Sequence, residues 1–202
     1  MQLPDFTVEH LKKLPLRANV AFAARCARRV QPLAQLPEGH PQHQSRRAAV
    51  EAALRLAEAY TSGSDAPPDG SVLAALDATR RVAGGPTGGT DATAAAADAA
   101  HAAASARHMT GPGGAGRDGP FELKTADARK FLGSRATVTS DLAALSAFTA
   151  AVDAFAAVGL HNEGFVAAAR TDYDTLVRLR LGHYPEAGSP VDPSADGPLG
   201  PL

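Results

Sequence analysis

The clearest pattern along the chain is a helical repeat of apolar residues in its last third. Between residues 139 and 158, large apolar side chains recur every three or four positions. A similar repeat runs from 163 to 181, and Gly159 and Asn162 between the two suit a helix end and a helix start. This pattern predicts a C-terminal αα-hairpin whose second helix ends at Gly182. The apolar face of its first helix is predicted to consist of Val138, Leu142, Leu145, Phe148, Val152, Phe155 and Val158.

Residues 16–31, between Pro15 and Pro32, form the most regular amphipathic pattern in the first third of the chain. Large apolar residues share one arc of a helical wheel and four arginines fill the opposite arc, which is typical of a helix with one buried face. Weaker patterns predict further helices at 7–14, 45–60, 71–83, 91–109 and 125–132. The helix at 91–109 is so rich in alanine that its side chains offer little to anchor it to the others.

Glycine and proline mark the boundaries between these elements. Flexible loops are predicted near 61–70, 84–90 and 110–120, within a single helical domain that covers residues 1–182. Residues 183–202, called the tail below, contain five prolines and no helical or strand period, which predicts an extended segment. The spacing of three apolar residues in the tail favours docking along its own bundle, and docking on another chain is the alternative. These three residues are Val191, Leu199 and Leu202.

The composition strengthens the helical prediction. Alanine supplies half of the apolar residues, and the chain contains neither isoleucine nor tryptophan. Alanine and leucine favour helices, whereas isoleucine is a strong strand former. These features predict an all-α fold, an irregular bundle of about six to eight helices. Because alanine buries little area at about 25 cal/mol per Å², such a bundle needs close helix packing or a partner surface.

The net charge, the cysteine content and the distribution of apolar residues each exclude a class of protein. A formal net charge of −1 gives no overall attraction to nucleic acid or to membranes. The single cysteine excludes an internal disulfide framework. The sequence has no apolar run of about 18 residues and no signal-peptide core near its start, so we expect a cytoplasmic protein that does not contact a membrane. Abundant alanine and an excess of arginine over lysine indicate a GC-rich bacterial genome.

One short motif, RLRLGH, has the residue types of a nuclease site. Arg178 and His183 are separated by four residues, which is similar to the Arg-x(4–6)-His motif of the HEPN superfamily of helical, metal-independent ribonucleases. The resemblance covers residues 178–183 and implies that dimerisation pairs two copies of the motif. It also implies that Arg178 stabilises phosphate charge while His183 transfers a proton at the 2′-hydroxyl.

Two features of the motif depart from the HEPN pattern. Leu179 stands where the family usually has a polar residue, and on a continuous helix the two side chains would lie about 140° apart. The alternative interpretation is a helix end, in which Arg178 and Arg180 interact with the helix dipole and Gly182 stops the helix.

The arginine face of helix 16–31 is the most organised polar feature of the sequence. It could be solvated or paired within the molecule, it could bind an acidic protein surface, or it could bind nucleic acid phosphates. Aromatic residues that would stack on bases are absent from this face, so nucleic acid is the least favoured partner. The candidate partner-binding residues are Arg17, Arg25, Arg28 and Arg29.

The remaining chemical groups favour no metal and no cofactor. The histidine pairs 40/43 and 101/108 lack further ligands at zinc-site spacing and are expected to be solvated. Cys26 lies in the apolar arc of its helix, and GGPTGGT lacks the lysine of a phosphate loop. The leading hypothesis is therefore a non-enzymatic protein that contacts another protein or a second copy of itself, with the HEPN-like nuclease and the nucleic-acid-binding module as alternatives.

Overall fold

The computed structural model describes residues 6–34, 39–41, 43–64, 90–110 and 139–202. These residues form a bundle of six α-helices with no strand among them, which confirms the predicted all-α fold. The helices are α1 (Val8–Leu11), α2 (Leu16–Val30), α3 (His43–Thr61), α4 (Thr90–Thr110), α5 (Ser140–Ala157) and α6 (Glu163–Arg178). The predicted helices at 71–83 and 125–132, and most of the predicted loops near 61–70, 84–90 and 110–120, lie outside the described residues.

The predicted αα-hairpin is present as α5 and α6, although its second helix is shorter than expected. Asn162 is the N-cap of α6, and Gly159 adopts a left-handed φ of 70° in the turn between the helices. The helix ends at Arg178 rather than near residue 181, because Arg180 leaves the helical conformation with a φ of 51°. A left-handed conformation costs a non-glycine residue about 1–2 kcal/mol, so surrounding contacts have to hold it in place.

The alanine-rich helix α4 is central to the bundle, which corrects the expectation that little would anchor it. It packs against α2, α3 and α5. Ala94 and Asp98, on one side of the helix, are half-buried. The buried alanines cover most of the rest of its surface, as expected for a helix enclosed on most sides. They are Ala92, Ala95, Ala96, Ala97, Ala99, Ala100, Ala102, Ala103 and Ala106. Alanine side chains are short, so neighbouring helices can approach α4 closely and bury it without large residues.

Replacing Ala99 by leucine is expected to lower the free energy of unfolding by about 1–3 kcal/mol, because the added volume has no space in a packed core. Ala99 is fully buried. Leucine has nearly the helix propensity of alanine, so the change reports packing. Urea denaturation followed by circular dichroism measures the loss. The matched control is Ala94→Leu at a half-buried position of the same helix, and equal losses at both sites would contradict the central position of α4.

The buried face of α5 also consists mainly of alanine, which corrects the predicted stripe of large residues. The face includes Ala143, Ala144, Ala147 and Ala151. Of the predicted stripe, Phe148 and Val152 are buried, Leu145 and Phe155 are half-buried, and Leu142 and Val158 are 42% and 45% exposed. Among the described helices α5 has the length and apolar composition of a membrane span, and half of it is buried as in a core helix.

The large side chains of the core form an aromatic cluster at the junction of α2, α5 and α6. Phe22 of α2 is fully buried, with its ring centroid 5.3 Å from that of Phe6 and 6.2 Å from that of Phe148. Tyr173 of α6 completes the group, and its hydroxyl donates to the His10 carbonyl at 3.0 Å. The cluster therefore ties the start of the described chain to the C-terminal hairpin.

Candidate functional site

The four arginines proposed from the sequence as partner-binding residues lie on α2, against groups of the chain itself. Every residue of α2 except Arg17, Arg28 and Arg29 is buried, and Arg25 is 1% exposed. Groups from α3, α6 and the tail bond to the arginines. The observed state is thus pairing within the molecule. Binding of another protein or of nucleic acid through this face would have to displace these contacts, and it stays a prediction.

Arg25 and Asp172 of α6 form a buried two-pronged ion pair. The Arg25 Nε donates to Asp172 Oδ2 at 2.9 Å, and its Nη2 donates to Asp172 Oδ1 at 3.2 Å. Arg29 Nη1 donates to the same Oδ2. We call Arg25, Arg29 and Asp172 the arginine cluster. It places two guanidinium groups around one carboxylate in a desolvated environment, where N–H groups without acceptors are costly. The Nε of Arg29 is buried without a hydrogen-bond partner, whereas the remaining N–H groups of Arg25 all find acceptors.

The tail supplies those acceptors to Arg25. The Nη1 group donates to the carbonyls of Pro193 and Gly200, at 3.2 and 2.8 Å. The Nη2 group donates to the carbonyls of Leu199 and Pro201, at 3.2 and 2.9 Å. With the two bonds to Asp172, every N–H direction of this guanidinium has an acceptor within the chain. Arg25 therefore joins α2 to α6 and to the tail.

The start of the tail caps the N-terminus of α2. The first N–H groups of a helix have no partner within it. Here the N–H groups of Leu16 and Arg17 donate to the carbonyls of Glu186 and Ala187, both at 2.9 Å. Arg17 Nη1 adds a bond of 2.9 Å to the Gly188 carbonyl. Gly188 has a φ of 76°, and a Cβ there would lie 2.5 Å from the Pro15 Cβ. Only glycine therefore fits at this position of the tail.

The apolar residues proposed as tail anchors behave differently from one another. Val191 is 2% exposed, and its N–H donates to the Thr61 carbonyl at the end of α3, at 2.8 Å. Leu199 is half-buried against the core. Leu202 is 58% exposed, so it does not anchor the tail on this bundle.

Arg28 connects α2 to α3 through two glutamates. Its Nε donates to Glu58 at 2.6 Å, and its Nη1 donates to Glu51 at 2.7 Å. Gln31 donates to the same Glu51 oxygen at 2.9 Å. These donors, Arg28 first, lower the pKa of Glu51 to about 2, and the two carboxylates, Glu58 first, raise the pKa of Arg28.

Glu51 is expected to make the protein less stable in acid. Because its pKa is lower in the folded state, its contribution is present above the unfolded value near 4.5 and is lost as the pH falls towards 2. Replacing Glu51 by glutamine should therefore flatten the decrease in unfolding free energy across this pH range, as measured by urea denaturation. The control is Asp153→Asn, an exposed carboxylate with no ion pair to any described residue. An equally steep decrease in the Glu51 variant would contradict the pairing.

The motif residues Arg178 and His183 are both exposed near the end of α6. Arg178 Nε donates to the Asp174 carbonyl at 3.2 Å, and its Nη2 donates to the Thr175 hydroxyl at 3.0 Å, within its own helix. His183 lies beyond the helix end. The adjacent Tyr184 donates to the buried Asp141 at 3.3 Å, and burial together with this carboxylate raises the pKa of Tyr184 to about 12. The ribonuclease interpretation requires a second copy of the chain and stays a prediction.

The histidines and Cys26 were considered from the sequence as metal or catalytic candidates. His101 is 3% exposed on α4, which corrects the expectation of a solvated histidine, whereas His40 is exposed as expected. Cys26 is buried next to the arginine cluster, and burial raises the pKa of its thiol. Within the described residues no group of three histidine, cysteine or acidic side chains could hold a metal ion.

Sequence reasoning overlooked Asp172, the residue that organises the arginine cluster. A signal was present, since Asp172 lies between Ala169 and Leu176 on the apolar stripe of α6. An acidic residue at such a position is rarely buried unless it is paired. The arginines of α2 were the obvious candidates for that pairing.

Comparison of the chain with known protein families, with curated proteins and with solved structures finds no match.

Proposed function

We propose that this chain is a non-enzymatic helical protein that acts through contact with another protein molecule, the simplest partner being a second copy of itself. The observation that carries this proposal is an apolar hairpin tip, residues 156–160, at the turn between α5 and α6. Val158 is 45% exposed and Leu160 is 53% exposed, and Ala156 and Ala157 are also exposed. Neighbouring exposed apolar residues are typical of an interaction site. The composition supports a bacterial, cytoplasmic setting.

The chemistry of the hairpin tip suits contact with an identical surface. Residues 154–160 contain no charged side chain, so two copies would meet there without like-charge repulsion. In a twofold dimer the same patch meets itself, and an apolar patch is complementary to its own copy. By contrast, the arginine cluster is bonded within the chain, so its role in this proposal is to hold the fold together.

Multi-angle light scattering during size-exclusion chromatography, at several protein concentrations, tests the proposal. We expect the average mass of the wild-type protein to rise with concentration. Leu160→Asp places a carboxylate in the contact through the hairpin tip and should lower the average mass at each concentration. Leu202→Asp is the matched control, since Leu202 is exposed to a similar extent outside the hairpin tip. A wild-type protein that stays monomeric at every concentration would contradict contact between copies.

A further inference from the structure

The tail is bound to the bundle in the way that a peptide ligand is bound. Its carbonyls at Glu186, Ala187 and Gly188 accept bonds from the start of α2, and the carbonyls of residues 193–201 surround Arg25. These bonds use the main chain of the tail. The donors belong to α2, a helix enclosed by the bundle. Together they form what we call the tail groove, which runs along α2 from Leu16 to Arg25.

The tail has little structure of its own apart from this groove. Its internal hydrogen bonds are local turns, such as Glu186 N–H to the His183 carbonyl at 2.8 Å and Gly200 N–H to the Gly197 carbonyl at 3.1 Å. Side-chain anchoring comes from Tyr184, whose hydroxyl donates to Asp141 of α5, from Val191, which is 2% exposed, and from the partly buried Leu199. An extended segment held by main-chain bonds and a few apolar anchors makes the same contacts whichever copy of the chain it belongs to.

The connection between α6 and the tail can act as a hinge. Arg180 has a φ of 51° and Gly182 a φ of 130° where the chain turns back from α6 towards α2. Docking of the tail on its own bundle therefore holds a non-glycine residue in a strained conformation. An extended connection would relieve this strain at Arg180 and would direct the tail away from its own groove. Exchange of an identical segment between copies needs few new contacts.

We propose that the tail groove is a binding site for an extended, proline-containing peptide, and that it accepts the tail of a second copy of this chain in exchange for its own. This proposal uses a different surface from the hairpin tip, so either one can fail without the other. It predicts a dimer in which Arg17 and Arg25 of one copy bind main-chain carbonyls of the other.

A cysteine pair can report which copy supplies the tail. A Cβ built at Gly63 would lie 3.5 Å from the Pro190 Cβ, within the separation of about 3.5–4.5 Å found in disulfides. Full-length Gly63→Cys and Pro190→Cys proteins are mixed at high concentration, incubated and oxidised. We expect a covalent heterodimer whose cross-linked peptides contain positions 63 and 190. The natural Cys26 is 1% exposed and so should not take part.

Two controls test the docking of the tail within one chain and the background of random cross-linking. The double variant, oxidised at low concentration, should form the same bond within one chain, and its failure to do so would overturn the docking of the tail in the groove. Pro190→Cys mixed with Ala167→Cys, an exposed position on α6, measures cross-linking by random collision. If the Gly63 and Pro190 mixture gives no more heterodimer than this control, exchange between copies is overturned.

A second measurement covers the case in which Gly63→Cys does not fold, since Gly63 has a φ of 72°. Ser62 is exposed beside it. Ser62→Cys carrying an acceptor fluorophore and Pro190→Cys carrying a donor fluorophore are mixed, both in the full chain. Energy transfer that increases over time and is reversed by excess unlabelled wild-type protein supports exchange. Absence of transfer at concentrations where light scattering shows dimers overturns it. The Leu160→Asp variant should reduce contact through the hairpin tip and leave this transfer in place.

Discussion

Replacing Asp172 by alanine is expected to lower the free energy of unfolding by about 3–5 kcal/mol. Asp172 is 2% exposed and is the carboxylate to which both Arg25 and Arg29 bond. Its removal leaves two guanidinium groups in a desolvated environment without a compensating charge. Urea denaturation at neutral pH, followed by circular dichroism, measures the loss.

The neighbouring Asp174 provides the control for this prediction. It is exposed and pairs with Arg170 one helical turn away on α6. Such surface pairs contribute about 0–1 kcal/mol, so Asp174→Ala should change the stability little. A double-mutant cycle with Arg25→Met extends the test, because the two losses should be strongly non-additive if Arg25 and Asp172 act as one unit. Equal, small losses for Asp172→Ala and Asp174→Ala would show that the arginine cluster is not buried as described.

Replacing Phe22 by alanine is expected to cost about 3–5 kcal/mol for a different reason, the cavity left in the core. Phe22 is fully buried and its ring contacts those of Phe6, Phe148 and Tyr173. More than half of the buried core residues are alanines, and such short side chains cannot move in to fill the space. Thermal unfolding and urea denaturation of the full-length variant measure the loss.

Phe22→Leu tests whether the cavity accounts for this loss of stability. Leucine retains most of the volume, so it should cost about 1.5 kcal/mol or less if cavity formation dominates. Phe155, which is half-buried, gives the positional control. A loss for Phe155→Ala as large as that for Phe22→Ala would contradict the placement of the aromatic cluster at the centre of the junction.

The helices themselves were predictable because each has a local signal. The repeat of large residues and the turn residues Gly159 and Asn162 predicted the hairpin, and Pro15 predicted the start of α2. The packing of the helices was less predictable. Alanine is compatible with both buried and exposed positions, so it carries no information about which face of a helix is inside. The central position of α4 and the alanine face of α5 were therefore not visible in the sequence.

The contacts of the candidate site were also only partly predictable from the sequence. The arginines of α2 were found from the sequence, but a helical wheel separates only polar from apolar arcs. It cannot distinguish a solvated arc from one covered by acceptors of distant segments. Asp172 and the carbonyls that surround Arg25 lie 147 to 176 residues away along the chain. Main-chain carbonyls are moreover present at every position, so no residue pattern identifies the ones that bind Arg25.

This separation along the chain has a consequence for how the protein is made. Synthesis begins at the N-terminus, so α2 leaves the ribosome long before Asp172 and the tail exist. Until then Arg25 and Arg29 lack the carboxylate that pairs with them, whereas Arg28 can already pair with Glu51 and Glu58 of α3. The apolar face of α2 gains α4 and α5 only as those later helices are made. We expect α2 to stay incompletely buried on the nascent chain, with cooperative folding delayed until translation is nearly complete, as for folds dominated by distant contacts.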